Sequence, residues 1–291
     1  MAELKTIGAL LAWARRSLEQ AGVENAIQEA LWLLAHALGR QSHSLTSDAE
    51  SPVSDQLWTR AESLVSRRVA REPLQYILGT QEFCGLEFHV NPAVLIPRPE
   101  TEVLIQEVVR RCAVNTYATL VDVATGSGCV AITLATILNG IRILALDRFP
   151  EALAVAKSNA ERHAVGDKIE WLEGDLLSPL REKGMAGAVD VIVSNPPYIA
   201  ESEWAGLQPE VRIYEPRPAL VAGQKGTELH ERLLHDSREY LVPGGLLVME
   251  IGQGQAAALR QVAEQQGGYS PLRMVEDDAG IERVVIAERR G

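Results

Sequence analysis

A chain that reads Val189-Asp190-Val191-Ile192-Val193-Ser194 and then Asn195-Pro196-Pro197-Tyr198 has little freedom at that point. The apolar, β-branched run has the length of a buried strand. Two consecutive prolines, each lacking a backbone N–H, cannot continue it inside a sheet, so the strand must end at Asn195. In α/β sheets ligands bind beyond the carboxyl ends of the strands. The kink therefore brings a side-chain amide, the carbonyls of Asn195 and Pro196 and the ring of Tyr198 to a candidate site. The Asn195 side-chain oxygen and a backbone carbonyl fixed by proline can accept both hydrogens of one planar –NH2 group. The lone pair of such a nitrogen is delocalised, and it becomes nucleophilic only as the nitrogen pyramidalises and gathers positive charge. Acceptors placed there stabilise a transition state more than a ground state. Tyr198 is suited to stack on the flat group.

Upstream, the short strand Leu120–Val123 runs into Ala124-Thr125-Gly126-Ser127-Gly128 and a helix over 129–138. A strand, a glycine-rich turn and a helix N-terminus together make a place where backbone N–H groups meet an anionic or polar ligand. A second strand, 141–146, ends in Asp147, nineteen residues after Gly128, where an acid suits a ribose diol. Gly126-x-Gly128-x-x-Ala131 also satisfies the dinucleotide fingerprint, so on this half a nicotinamide-dependent oxidoreductase and a methyltransferase compete. A third strand, 169–172, leads to Asp175, placed to bond an adenine amino group in the methyltransferase reading. After Tyr198 an irregular segment contains Glu215-Pro216-Arg217-Pro218 and is long enough for a binding loop. The pattern then predicts a helix over 227–241, a strand over 246–251 with the acid Glu250 near its end, and two last strands near 270–275 and 283–287.

The chain begins differently. Thr6 caps a helix whose apolar face is Ile7, Leu10, Leu11, Ala14 and Leu18; Asn25 with Gln28 resembles a capping box opening a second; Ser51-Pro52 opens a third. Residues 75–90, with Cys84-Gly85 at their middle, predict a β-hairpin. The division expected is a helical substrate-recognition domain over 1–73, a hairpin connector over 74–98 and an α/β domain with a Rossmann-like sheet over 99–291. Arg98, at the start of the next helix, can meet a carboxylate or phosphate.

A net charge of −11 argues against holding nucleic acid by general phosphate neutralisation. Three cysteines without CxxC spacing suggest neither a disulfide framework nor a zinc site, and no metal is expected. The run Ile7–Ala14 is too short and too poorly led for a signal peptide, and no stretch approaches the roughly 18 apolar residues of a membrane span. A cytoplasmic protein is expected, without direct nucleic-acid or membrane partners. G-x-S-x-G and P-loop patterns are absent.

Asp122-x-Ala124-Thr125-Gly126-Ser127-Gly128 followed by Asn195-Pro196-Pro197-Tyr198 resembles class I S-adenosylmethionine-dependent methyltransferases that act on planar nitrogens. Pro73–Gly79, Glu82-Phe83-x-Gly85-Leu86, Leu95–Glu102, Glu215-Pro216-Arg217 and Glu250-Ile251-Gly252-x-Gly254-Gln255 narrow the resemblance to the release factor glutamine methyltransferases, over about residues 70–290. That resemblance implies methylation of the glutamine N5 in the Gly-Gly-Gln motif of class I peptide chain release factors. It implies that Ala124, Thr125, Gly126, Ser127, Gly128 and Asp147 bind S-adenosylmethionine, with Asp175 and Leu176 near its adenine. It also implies that Asn195, Pro196, Pro197 and Tyr198 hold the glutamine amide. An adenine-N6 nucleic-acid methyltransferase would use the same four residues. The chain departs from the family pattern at Ala124, where a glycine is usual, and at Lys225, where an acid is usual.

Overall fold

The computed structural model describes residues 5–112 and 119–291, which form two compact units. One holds the chain up to Thr80 together with Gln208–Tyr214; the other holds Gln81–Leu207 and Glu215–Gly291.

The first unit is helical: α1 Ile7–Gln20, α2 Ala26–Leu38, α3 Ser44–Ser47, α4 Asp55–Val69 and α5 Leu74–Leu78. Leu10, Leu18, Leu33, Leu34 and Val65 make its core. Thr6 caps α1 as expected, accepting from the Ala9 N–H at 3.2 Å, and Gly39 closes α2 at a positive φ of 64°. Two expectations are corrected. Asn25 makes no side-chain cap bond. Helix α4 opens at Ser54, whose Oγ accepts from the Leu57 N–H, rather than at Ser51-Pro52. Gln208–Tyr214 is tied in by charge: Arg68 donates to Glu29 at 2.6 Å and to Glu210 at 2.9 Å, Arg71 donates to Glu210, and the Tyr214 hydroxyl donates to the Ala70 carbonyl at 2.7 Å.

The second unit takes up the chain at Gln81, within the hairpin of β1 Thr80–Phe83 and β2 Leu86–His89, which turns at Cys84-Gly85. Residues 75–78, expected within it, are instead in α5. Then follow α6 Glu102–Cys112, β3 Thr119–Val123, α7 Cys129–Ile137, β4 Arg142–Asp147, α8 Pro150–Arg162, β5 Ile169–Glu173, α9 Ser178–Glu182 and β6 Val189–Ser194. The chain ends with β7 Ile199–Ala200, β8 Val221–Gly223, α10 Glu228–Tyr240, β9 Leu241–Glu250, α11 Ala256–Gln266, β10 Arg273–Glu276 and β11 Glu282–Glu288. The seven-stranded sheet has the order β10-β11-β9-β6-β3-β4-β5, with β10 and β11 antiparallel.

The strands read as continuous apolar runs because both faces of the sheet are covered. Leu120, Val191, Val193, Leu246 and Val248 pack beneath α6 and α7, while Val121, Val123, Ile192, Leu247 and Met249 pack against α10 and α11. Strand β9 begins five residues earlier than expected. Pro243-Gly244-Gly245 sits in an irregularity of register, since Val189 pairs with Leu241 but Val191 with Leu246. From β3 the chain steps outward to β4 and β5, then returns to β6 on the other side of β3. This reversal opens a crevice at the carboxyl ends of β3 and β6. The parallel register aligns those ends: Val123 pairs with Ser194, and Ser194 with Met249.

Candidate active site

A cavity of about 460 Å³ lies in that crevice, within the second unit. Ala124, Thr125, Gly126, Ser127, Asp147, Asp175, Leu176, Asn195 and Pro197 all line it, so residues predicted from distant parts of the sequence converge. Gly128, Pro196 and Tyr198 do not line it. Thr101, Phe149 and Leu229 do, and sequence reasoning assigned no site role to any of them.

Two buried acids hold the turn between β3 and α7. Asp122 accepts through one oxygen from Thr125 Oγ1 at 2.6 Å and from the Ala131 N–H at 3.1 Å, lashing the turn to the start of α7. Burial pushes its carboxyl up to about 7 against those two donors. Asp147 accepts from the Gly126 N–H at 2.9 Å and the Phe149 N–H at 3.0 Å. Burial raises this acid too, with the three N–H groups of Gly126, Phe149 and Arg148 pulling against it. Ala124 takes φ 59°, so this departure from glycine places an L-residue in the left-handed region while leaving the turn intact. The two glycines differ in purpose. A Cβ on Gly126 would meet nothing within 4 Å, whereas one on Gly128 would lie 3.0 Å from Ala156 Cβ in α8. Gly128 thus serves the approach of two helices.

Three of the turn's donors are already bonded within the chain. A pyrophosphate needs free N–H groups and positive charge. Here the Gly126 and Ala131 N–H groups are taken by carboxylates and that of Gly128 by the Thr125 carbonyl. Arg98, which also lines the cavity, is paired with Glu215, and Arg148 lies over the Phe149 ring. Asp122 and Asp147 line the cavity together with apolar Leu176 and Phe149. Asp175 is half exposed, with one oxygen held by Arg232 at 2.7 Å.

The acceptor side is a hydrogen-bonded chain. Ser194 Oγ donates to the Val123 carbonyl at 2.7 Å, joining the two strand ends. Asn195 Nδ2 donates to Thr101 Oγ1 at 3.0 Å, and Thr101 donates to Glu250 Oε2 at 2.6 Å. The Tyr198 hydroxyl donates to Glu250 Oε1 at 3.3 Å, and burial beside that acid raises its pKa, so it stays a donor. Tyr198 thus faces Glu250 rather than the cavity, where the sequence reading had it stack on the substrate. Gln255 Nε2 donates to the Tyr198 carbonyl at 2.8 Å and Gln255 Oε1 accepts from the Gly252 N–H. Lys225 is exposed, and its backbone N–H donates to Glu228. Among the described residues no group of three or more His, Cys, Asp or Glu is placed to hold a metal ion, and no helix is long and apolar enough to cross a membrane.

A mostly parallel seven-stranded sheet with this turn after its inner strand β3 defines a Rossmann-like methyltransferase fold. The catalytic domain of hMettl16 in complex with the MAT2A 3'UTR hairpin 6 has a TM-score of 0.56 at 20% identity, covering 80% of this chain and 82% of that one. A methyltransferase from Pyrococcus furiosus has 0.51 at 17%, covering 80% and 98%. Residues 99–207 match the methyltransferase small domain and residues 9–79 the PrmC N-terminal domain. The chain is 43% identical to the release factor glutamine methyltransferase of Geobacter sulfurreducens, over 97% of this chain and 96% of that one. It is 40% identical to that of Nitratidesulfovibrio vulgaris over 98% and 95%, and 39% identical to that of Moorella thermoacetica over 98% and 99%. The chain belongs to the release factor glutamine methyltransferase family.

Proposed function

We propose that this enzyme transfers the methyl group of S-adenosylmethionine to the side-chain N5 of the glutamine in the Gly-Gly-Gln motif of class I peptide chain release factors. The observation that carries this reading is the shared cavity, lined both by Asn195 and by the turn that Asp122 and Asp147 hold. S-adenosylmethionine, when bound, supplies an electrophilic methyl group on sulfur. Asp147 would hold the ribose hydroxyls through the lone pairs that Gly126 and Phe149 leave free, and Leu176, Phe149 and the open oxygen of Asp175 would hold the adenine. Asn195 Oδ1 accepts from the glutamine –NH2 and stabilises the positive charge that gathers on that nitrogen as it pyramidalises. Pro196 and Pro197 fix the backbone that carries this acceptor. No side chain abstracts a proton before transfer, because the nitrogen sheds one only after it becomes cationic. Positioning supplies most of the rate.

The net charge of −11 and the match of residues 9–79 to the PrmC N-terminal domain favour a release factor over a nucleic acid, with the helical unit as the partner-recognition part. Three free cysteines suit a cytoplasmic setting. The test is transfer of labelled methyl from S-adenosylmethionine to a purified class I release factor, to the same factor with its Gly-Gly-Gln glutamine changed to alanine, and to duplex DNA. Label is expected on the intact factor alone. Label on DNA only would replace the reading with an adenine-N6 methyltransferase.

A further inference from the structure

We propose that Thr101 and Glu250 are positioning residues that fix which end of the Asn195 side-chain amide faces the substrate, an inference that rests on the function just proposed. An asparagine amide has an acceptor at one end and a donor at the other, in nearly the same shape. Only the oxygen can hold a substrate –NH2; the amide turned round would present hydrogens to hydrogens. Thr101 decides between the two. Its hydroxyl has one proton and two lone pairs, and that proton goes to Glu250 Oε2 at 2.6 Å. An ionised carboxylate only accepts, so Thr101 is left with lone pairs alone and can bond only a donor. Asn195 answers with Nδ2 at 3.0 Å, and Oδ1 is left for the cavity that both residues line.

Each member is held by a different element. Thr101 ends the tight turn Pro99–Thr101, where its N–H donates to the Arg98 carbonyl, and it is 2% exposed. Glu250 ends β9 and is fully buried. Its Oε1 accepts from Tyr198, so one carboxylate orients both ends of the Asn195–Tyr198 motif. His230 from α10 donates to the Glu250 backbone carbonyl at 2.8 Å.

The groups that act on this carboxylate are Thr101 and Glu100 on the turn, Tyr198, and Arg283 on β11, while His230 on α10 meets the backbone carbonyl of the same residue. Burial drives it up to about 7, while Thr101, Arg283 and Tyr198 pull it down and Glu100 adds to the rise. Once protonated, Glu250 donates to Thr101. Thr101 can then pass its own proton to Asn195 Oδ1, and the amide NH2 turns to the substrate.

The experiment uses the full chain with S-adenosylmethionine and a class I release factor. Thr101→Val keeps the shape and removes the hydroxyl, leaving Asn195 free to sit either way round. A fall in kcat of about tenfold is expected, the value of one hydrogen bond, with the dissociation constant of S-adenosylmethionine unchanged in calorimetry. Thr101→Ser restores kcat to within about threefold. Glu250→Gln can offer oxygen to Thr101 and N–H to Tyr198, so it keeps activity at pH 8 and loses the acid limb of the wild-type kcat profile near pH 7. A second readout is independent of turnover. The Asn195 side-chain ¹⁵N–¹H pair, assigned by its loss in Asn195→Ala, is protected from solvent exchange in the wild type and Thr101→Ser and unprotected in Thr101→Val. Unaltered protection in Thr101→Val, or wild-type kcat in that variant, overturns the positioning role. Protection as expected with no label on any release factor overturns the substrate reading and leaves the amide orientation supported.

Discussion

Gly126 and Gly128 stand two residues apart in the same turn, both at positive φ, yet exchanging each for alanine has very different consequences. At Gly126 (φ 55°) an added Cβ meets nothing within 4 Å. The cost is that of an L-residue in the left-handed region, about 1 kcal/mol at the low end of the usual range, and Ala124 at φ 59° shows that the turn tolerates one. At Gly128 (φ 81°) the same backbone cost applies, and the Cβ lies 2.8 Å from Ile132 Cδ1, 3.0 Å from Ala156 Cβ and 3.3 Å from Ala156 Cα. The isoleucine can rotate aside, but Ala156 cannot, because its Cβ is fixed to the backbone of α8. Relief requires α8 to move from α7, and overpacking of that kind costs about 1–3 kcal/mol. Gly128→Ala should therefore lose about 2–5 kcal/mol, against about 1 kcal/mol for Gly126→Ala. Because two units need not unfold together, the assay is hydrogen exchange under rising urea, read on peptides covering Leu120–Leu146. Equal losses in the two variants, within about 0.5 kcal/mol, would refute the argument that helix approach fixes Gly128.

Three further outcomes are expected. Asp122 has a carboxyl raised to about 7 in the folded protein, so between its unfolded value near 4 and 7 the native state binds more protons, and stability falls as pH rises through that window. Both of its hydrogen bonds reach one oxygen, so Asp122→Asn can keep them; its stability, relative to the wild type, should rise from pH 4 to 7, and a constant difference in urea midpoints would contradict this. Asp147→Ala should weaken S-adenosylmethionine binding by about 10- to 100-fold, the worth of a charge-assisted hydrogen bond, and unchanged affinity by calorimetry would displace the ribose from this acid. Asn195→Ala should lower kcat by about 10²–10³ with cofactor affinity kept; normal turnover would remove the acceptor from the mechanism.

The central strands were legible because burial on both faces leaves uninterrupted apolar runs. Val189–Ser194 has the predicted bounds, and β3, β4 and β5 lie within about a residue of theirs. The site was legible where a residue's place follows from the strand it terminates, as with Ala124, Asp147 and Asn195. It was not legible where partners come from elsewhere in the chain. Thr101 bonds an acid 149 positions away, and nothing in the periodicity around either signals the pairing, although an acid closing an apolar strand was a clue at Glu250 as at Asp147. Tyr198 looked free for a substrate because the carboxylate claiming its hydroxyl lies 52 positions on. Gln208–Tyr214 joins the helical unit through an ion pair spanning 142 positions, a separation that local patterns do not report. Short helix α5 has too few turns to show a period, and Pro-Gly-Gly reads as a stop although β9 runs through it.

The sheet order also dictates how late in synthesis the enzyme can become active. Strand β3 is the first of the seven to leave the ribosome, and its neighbour β4 follows closely, so the cofactor turn can form early. Its other neighbour, β6, starts 70 residues after β3 does, and β9, which ends in Glu250, starts 122 residues after. Contacts of such separation are the slow ones in folding. A nascent chain that has emerged only as far as β5 carries Asp122 and Asp147 but lacks Asp175, Leu176 and Asn195, so the cavity that all of them line is not yet assembled.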